Sequence, residues 1–508
     1  MKKLFNLINH PKLSKLHTPV WLAVFLAILL ITRIPSLFEP FSYGDEMIYL
    51  TLGEAIRRGM VLYKDIHDNK PPLLYLIAAV AGNVFWFRSI LAIWMIATTY
   101  LFWRLTQILF PKRERMQQIA TVAFGLLTTL PLLEGHIPNA ELFMVGPTIA
   151  ALLILLNWKK TPKNLIFSGL LFSTAALFKV PAVFDLPVIF VFWFIVSSKG
   201  AKSIVDITKR AFFVGVGFAV PILITFAWYA YRGAFDQYLV AAFLQNVGYL
   251  SSWRPDAVQQ SFLSKNMPLL IRGAVVAIGT FLVWLNRKKF SKSFILAVIW
   301  LLFSLFAVTL SERPYPHYLI QSTPAISLLI AILIASPKIE QVFAIIPLGL
   351  AVFVPVYFKF YYYSTSDYFS RFSQLATGQI SQRQYFDKFD GNVWRNYKIA
   401  EFLRASSNPS DPVFVWGDSP PIYALSRRLP NYKYVAQYHI YDFSNEEELL
   451  TSLEANPPVF VVVLPNNNFS PVMTKFLDSS YTIIADIEGA KVWRLLTQQV
   501  IKTIKRYN

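Results

Sequence analysis

The 508-residue chain contains no cysteine, so disulfides, thiolate metal sites and cysteine nucleophiles are all excluded. It is also poor in charge: Asp, Glu, Lys and Arg make up 15% of the residues, where soluble proteins carry about 25%. Two catalytic signatures are missing as well. There is no Gly-rich phosphate loop and no Gly-x-Ser-x-Gly elbow, which argues against a nucleotide-fuelled enzyme and against a serine hydrolase. Internal repeats are lacking, as is the inverted pair of broken helices found in many transporters.

What the chain has in quantity is apolar surface, with 55% hydrophobic and 16% aromatic residues. The runs 20–31, 91–103 and 294–310 contain no charged residue, and such stretches form membrane spans or large parts of them. The formal net charge of +19 comes from 48 Lys and Arg against 29 Asp and Glu. No soluble basic domain accompanies it, so nucleic acid is not the expected partner; cytoplasmic loops collect Lys and Arg in membrane proteins. The basic N-terminus is followed by an apolar run without a small-residue cleavage site after Ile31, which predicts an uncleaved first span rather than a signal peptide.

Spans are expected at 19–38, 89–110, 116–133, 142–157, 164–180, 183–197, 210–230, 269–285, 291–310, 317–335 and 341–360. Their connections alternate. One set is rich in Lys and Arg, as in Lys112, Arg113 and Arg115 or Arg287, Lys288 and Lys289, and is predicted to be cytoplasmic. The loops 39–70, 134–141, 232–268 and 311–316 carry many carboxylates and are predicted to lie outside. Counting 71–86 as a full crossing would invert every later loop against this rule. Pro71 to Trp86 is therefore expected to enter from the outer face and turn near Gly82 and Asn83, as partial elements do where protein surrounds them. The N-terminus is then cytoplasmic and the C-terminus outside. Residues 1–360 form the membrane domain. Residues 361–508 have ordinary polarity, with short apolar runs at 413–416, 459–464 and 481–487 separated by helical patterns at 394–405 and 445–454, which predicts a small extracytoplasmic α/β domain.

The first outer loop carries the chemistry-bearing residues. It reads Tyr43-Gly-Asp-Glu-Met-Ile-Tyr49, then Gly59 to Asp65 with Tyr63, then Asp68-Asn-Lys-Pro-Pro72. Asp45 and Glu46 sit at the membrane surface directly after a span, where charge is costly to desolvate and often functional. One of them can accept a proton from an attacking hydroxyl; solvated loop acids are the plain alternative. Lys70, held ahead of Pro71 and Pro72, can compensate a phosphate charge or anchor at the headgroups. Glu141 opens a helix after Glu134, His136 and Asn139, where the helix dipole alone favours a carboxylate. The spacing of Glu134, His136 and Glu141 matches no metal motif, so no metal ligand is assigned. Arg313 and His317 fall at the outer surface, suited either to phosphate or to the interfacial belt. Lys179 lies near an outer helix end, and snorkelling, pairing with Asp185 and facing an anionic lipid are all open to it. In loop 232–268, Asn246, Tyr249, Trp253 and Arg254 either shape acceptor choice or pack at the membrane surface.

The order Asp45-Glu46-x-x-Tyr49, Tyr63-x-Asp65 and Lys70-Pro-Pro72, continued by Asn139-Ala-Glu141, Phe178-Lys-Val-Pro181 and His317-Tyr318, resembles the GT-C class of membrane glycosyltransferases. The likeness is to the branch of protein O-mannosyltransferases (glycosyltransferase family 39) and aminoarabinose transferases. It implies a polytopic α-helical fold of about 11–13 transmembrane helices and a sugar donor carried on a polyprenyl phosphate. By motif position, Asp45 would be the general base, Glu46 its acidic neighbour and Glu141 the second-loop acid, where many relatives have aspartate. Lys70, Lys179, Arg313 and His317 would hold the donor phosphate or lipid head. Tyr49, Tyr63, Asn246 and Tyr249 would face the acceptor, which is a protein, lipid or glycan. A lipid phosphate leaves well without a general acid, so no cofactor is required; a divalent metal is compatible with the class. A lipid or polysaccharide transporter is the rival from another class. An inactive binding relative, contacting a partner through Tyr423, Arg427 and Arg428, is another.

Overall fold

The computed structural model describes residues 18–197, 201–245, 262–311, 313–467 and 470–496. Asn246, Tyr249, Trp253 and Arg254 lie outside the described residues. The membrane part contains helices α1 (Val20–Thr32), α2 (Gly44–Arg57), α3 (Leu73–Ala81), α4 (Val84–Leu109), α5 (Glu114–Leu127), α6 (Ala140–Asn157), α7 (Pro162–Phe178), α8 (Leu186–Val196), α9 (Ala201–Tyr231), α10 (Phe262–Leu285), α11 (Lys292–Thr309), α12 (Thr323–Ala335) and α13 (Ile345–Tyr357). Among the described residues, eight helical stretches are long and apolar enough to cross a membrane. The other three expected spans fall on α5, α7 and the shorter apolar stretch Val180–Val196. α5 stops at Leu127 because Pro131 lies ahead and Leu130, the residue before it, is extended (ψ 153°), as a pre-proline residue prefers.

The segment after Pro71 does not cross. α3 ends at Gly82, which adopts a left-handed conformation (φ 69°) that glycine tolerates. Asn83 then caps α4, its side-chain oxygen accepting from the Trp86 N–H at 3.0 Å. Glycines also set how closely helices approach. A Cβ on Gly169 of α7 would overlap the Val214 carbonyl of α9, and one on Gly217 the Ile166 carbonyl, so this crossing exists only with small residues. α2 and α3 meet in the same way at Gly53, where a Cβ would lie 2.6 Å from the Ala79 nitrogen.

Beyond α13 the chain forms α14 (Thr365–Ala376), α15 (Val393–Ser406), β1 (Val413–Trp416), α16 (Pro421–Ser426), α17 (Gln437–Phe443), α18 (Glu446–Ala455), β2 (Phe460–Val463), α19 (Pro471–Ser480), β3 (Tyr481–Ile487) and β4 (Ala490–Leu495). The sheet runs in the order β1-β2-β4-β3, with β1 and β2 parallel and the remaining pairs antiparallel. All four residues of β1 are buried, as expected of a strand covered on both faces. This unit is docked on the first outer loop by main-chain bonds. His67 N–H donates to the Lys433 carbonyl (2.7 Å), and the Arg58 guanidinium donates to the carbonyls of Pro409 and Arg427 (2.6 and 2.7 Å).

Gly53→Ala is expected to force α2 and α3 apart and to destabilise the chain by about 1–3 kcal/mol, the usual cost of overpacking. Thermal unfolding in detergent micelles checks this, and an unchanged midpoint would contradict the close approach.

Candidate active site

The first turn of α2 holds both acids of the first-loop motif, Asp45 and Glu46. Successive helical residues point about 100° apart, and the two carboxylates go to different places. Glu46 is fully buried and receives two hydrogen bonds from Arg88 of α4, at 2.9 and 2.6 Å. Arg88 also bonds Glu39 at 2.5 Å and the Ser36 carbonyl at 2.6 Å. Glu46 therefore sits in a buried ion cluster, and the paired-acid arrangement expected of Asp45 and Glu46 is not what their side chains form.

Asp45 keeps a third of its side chain exposed. Its Oδ2 accepts the Tyr49 hydroxyl at 2.9 Å, one turn along α2, and lies 3.8 Å from Lys70 Nζ. Lys70 Nζ is also 3.7 Å from Asp68 Oδ2 and 5.0 Å from the centre of the Tyr49 ring. The main chain at Lys70 is clamped: the Tyr63 hydroxyl donates to its carbonyl (2.8 Å), and its N–H donates to the Tyr75 oxygen (3.3 Å). Tyr63 itself turns with φ 74°. Its buried ring supports Lys70 from behind. Burial pushes the Asp68 carboxyl up, but the Lys70 ammonium, His439 and the hydrogen bonds from Asn69 and Tyr75 together hold the group below the usual carboxylate range.

The second loop and the later spans close the site. Lys179, at the C-terminus of α7, pairs with Glu141 and lies 3.8 Å over the Tyr318 ring. Asp185 is engaged elsewhere, accepting from Trp300 Nε1 (3.0 Å) and Gln321 Nε2 (3.1 Å). His317 Nε2 is 3.9 Å from Glu141, and its Nδ1 bonds Glu134. Glu134 also accepts the Tyr43 hydroxyl at 2.9 Å and the Asn139 amide at 3.2 Å. Arg313 faces Asp442 of α17 at 3.8 Å. Among the described residues, no three His, Asp or Glu side chains are grouped to hold a metal ion.

These side chains enclose a small cavity of about 50 Å³ lined by Asp45, Lys70, Lys179, Arg313, His317 and Tyr438, among others. It is next to an apolar crevice of about 60 Å³ walled by Val180, Pro181, Phe184, Ala307 and Leu310. Lys179 and Tyr318 line both. Three residues at the cavity were not legible in the sequence: Tyr438, His439 and Asp442, all on α17 of the C-terminal unit. His439 Nε2 lies 3.8 Å from Asp68 Oδ1, a contact across nearly the whole chain. Arg88 did carry a signal, as an arginine at the start of an apolar run, where charge needs a partner.

Arg88→Leu would leave Glu46 buried without its cation and Glu39 with Arg371 alone, at 3.4 Å; breaking a buried pair costs about 3–5 kcal/mol. The expected result is a clear drop in the thermal midpoint of the purified protein, partly restored when Glu46→Gln is added. A silent Arg88→Leu would show that the cluster does not hold α2 in place.

Comparison with known proteins gives the fold a precedent. Crystal structures of ArnT from Cupriavidus metallidurans, bound to undecaprenyl phosphate and in the apo state, each match with a TM-score of 0.55 at 14% identity. The matches cover 94% and 93% of this chain and 98% and 97% of the ArnT chains. The oligosaccharyltransferase AglB from Archaeoglobus fulgidus is less similar, with a TM-score of 0.45 and 13% identity over 87% of this chain and 69% of its own. Residues 395–495 match the family described as "Putative competence-induced protein Ccs4 C-terminal domain". No curated protein matches the chain in sequence. With the ArnT likeness spanning nearly both chains, the protein has the fold of the GT-C membrane glycosyltransferases.

Proposed function

We propose that the chain moves a sugar from a polyprenyl-phosphate donor to an acceptor hydroxyl at the extracytoplasmic face, inverting the anomeric centre. The observation that carries this reading is the small cavity, where the partly exposed carboxylate of Asp45 shares a wall with Lys70, Lys179, Arg313 and His317. Two lysines, an arginine and an imidazole suit a phosphate. The apolar crevice that shares Lys179 with the cavity suits the isoprenoid chain attached to it. ArnT was crystallised with undecaprenyl phosphate, and the same class of donor is proposed here. The basic connections support a cytoplasmic N-terminus, which puts α2, the cavity and the C-terminal unit outside.

In this reading Asp45 accepts the proton of the attacking hydroxyl. The acceptor oxygen forms its bond to the anomeric carbon while the bond from that carbon to the phosphate oxygen breaks. The electron pair leaves on the phosphate, where Lys70, Lys179, Arg313 and His317 take up the charge. Preorganised cations of this kind stabilise developing charge without reorganising, and a phosphate leaving group needs no general acid. Tyr49 orients Asp45 through its hydroxyl, and Tyr63 positions Lys70 through its carbonyl. Glu141 holds Lys179, and Glu46 acts at a distance by fixing the direction of α2. No cofactor takes part in the step.

Purified protein in liposomes, offered a panel of polyprenyl-phosphate sugars, tests the proposal through the release of polyprenyl phosphate. Asp45→Asn is expected to lower turnover by about 10²–10⁴-fold, the usual share of a general base, without changing the thermal midpoint. Lys70→Ala is expected to weaken donor use in the same assay. Undiminished turnover by Asp45→Asn would remove the base assignment. Donor binding with no turnover by the wild type would move transport or passive binding ahead.

A further inference from the structure

A second, much larger cavity of about 970 Å³ is lined by Tyr43 and Gly44, directly before Asp45 in the chain, and the mechanism above does not use it. Its lining differs in kind. Tyr43, Tyr362, Tyr363 and Tyr368 supply aromatic surface, and Phe389 adds another ring beneath the Arg371 guanidinium, 3.8 Å away. α14 runs along one wall, and Asp367, Ser370, Arg371 and Gln374, spaced three and four residues apart on it, all line the cavity. That spacing makes one helix face.

The charges at this cavity balance: Glu39, Asp367 and Asp390 against Arg88, Arg371 and Lys388. The cationic pocket, in contrast, has Lys70, Lys179 and Arg313 against Asp45 and Asp442. Three buried polar atoms at the large cavity have no hydrogen-bond partner among the described residues: His136 Nδ1, the Tyr368 hydroxyl and Arg371 Nε. His136 is 5% exposed, and burial followed by the nearby arginines holds it well below its usual pKa, as a neutral ring. Aromatic faces, mixed amide and carboxylate hydrogen-bonding groups and no net charge are the chemistry that recognises a neutral polyhydroxyl ligand rather than a phosphate.

The wall between the two cavities is thin. Glu134 is buried in it, bonded to Tyr43 from the large cavity and to His317 from the cationic pocket. Gly44 lines the large cavity beside Asp45, and a Cβ there would meet nothing within 4 Å. Open space therefore adjoins the main chain directly before the base.

We infer that the large cavity is the acceptor site and that its ligand is a neutral saccharide, one hydroxyl of which reaches Asp45 past Gly44. The word acceptor rests on the transferase reading, but the saccharide site does not. The test uses the full-length chain in nanodiscs and saturation-transfer NMR with a panel of neutral di- to tetrasaccharides. Asp367→Ala/Gln374→Ala, on a solvent-facing helix surface, is expected to weaken saccharide binding roughly tenfold, two hydrogen bonds being lost. The same variant should retain undecaprenyl-phosphate binding, and Lys70→Ala should retain the saccharide. Binding of no saccharide in the panel, binding indifferent to the double variant, or binding of a peptide at this face instead would overturn the inference. Saccharide binding by a chain that turns over no lipid-linked sugar would leave this site standing and sink the transferase reading. Transfer to a non-saccharide acceptor, unaffected by the double variant, would do the reverse.

Discussion

The buried pairing of Arg88 with Glu39 and Glu46 anchors the loops and helix ends that carry both cavities. Three formal charges this deeply buried are expensive, and their mutual attraction offsets that cost only with near-ideal geometry. Here the guanidinium is saturated by two carboxylates and the Ser36 carbonyl. It joins the end of the first span, the start of α2 and the start of α4. With Glu46 locked inward, helix geometry leaves Asp45 no choice but the opposite, partly open side. A charge pair that replaced neither hydrophobic packing nor catalysis would be poor value for stability. It makes sense as a device that sets direction.

From that anchor the rest is built by tyrosines and main chain. Tyr63 and Tyr75 grip the backbone at Lys70, so the ammonium is presented by a stiff loop and not by a free tether. The C-terminal unit then bonds the same loop from the other side through His67 and Lys433, and α17 brings Tyr438, His439 and Asp442 over the cavity. The membrane helices supply rigidity, while the C-terminal unit completes the enclosure.

Much of this was legible in the sequence, for identifiable reasons. Hydrophobic runs and alternating basic loops are local signals, so the spans and the turn at Gly82 could be placed without a structure. The motif order around Asp45 and Lys70 is also local, within one loop. Side-chain direction is not: Asp45 and Glu46 are neighbours in sequence, and only the partner on α4 decides which one is buried. Lys179 had three open roles, and a contact with Glu141, 38 residues away, settles its partner. The α17 residues could not be read at all, since nothing in a stretch of a small α/β unit marks it as reaching a pocket formed by residues 45 to 318. The fourth strand was missed because Lys491 and Arg494 interrupt 490–495, which therefore lacks the apolar run that marks β1 and β2, although it pairs between β2 and β3 in the sheet.

The ion pairs of the cationic pocket have one more consequence for the proposed reaction. Each cation there already has a carboxylate: Lys70 has Asp45 and Asp68, Lys179 has Glu141, and Arg313 has Asp442. An empty pocket of unpaired cations would be costly in a site this enclosed, so the pairs make the resting state tolerable. A donor phosphate entering such a pocket competes for those cations and exchanges partners with the acids. Lys70 is the case that matters, because its contact with Asp45, at 3.8 Å, is looser than the contacts inside the Arg88 cluster. Moving Lys70 toward a phosphate would loosen its contacts with Asp45 and Asp68, at 3.8 and 3.7 Å, while the Tyr49 hydroxyl stays bonded to Asp45. In the proposed reading the base is thus occupied while the donor is absent and is uncovered by donor binding. That order suits an enzyme whose activated sugar must not be spent on water.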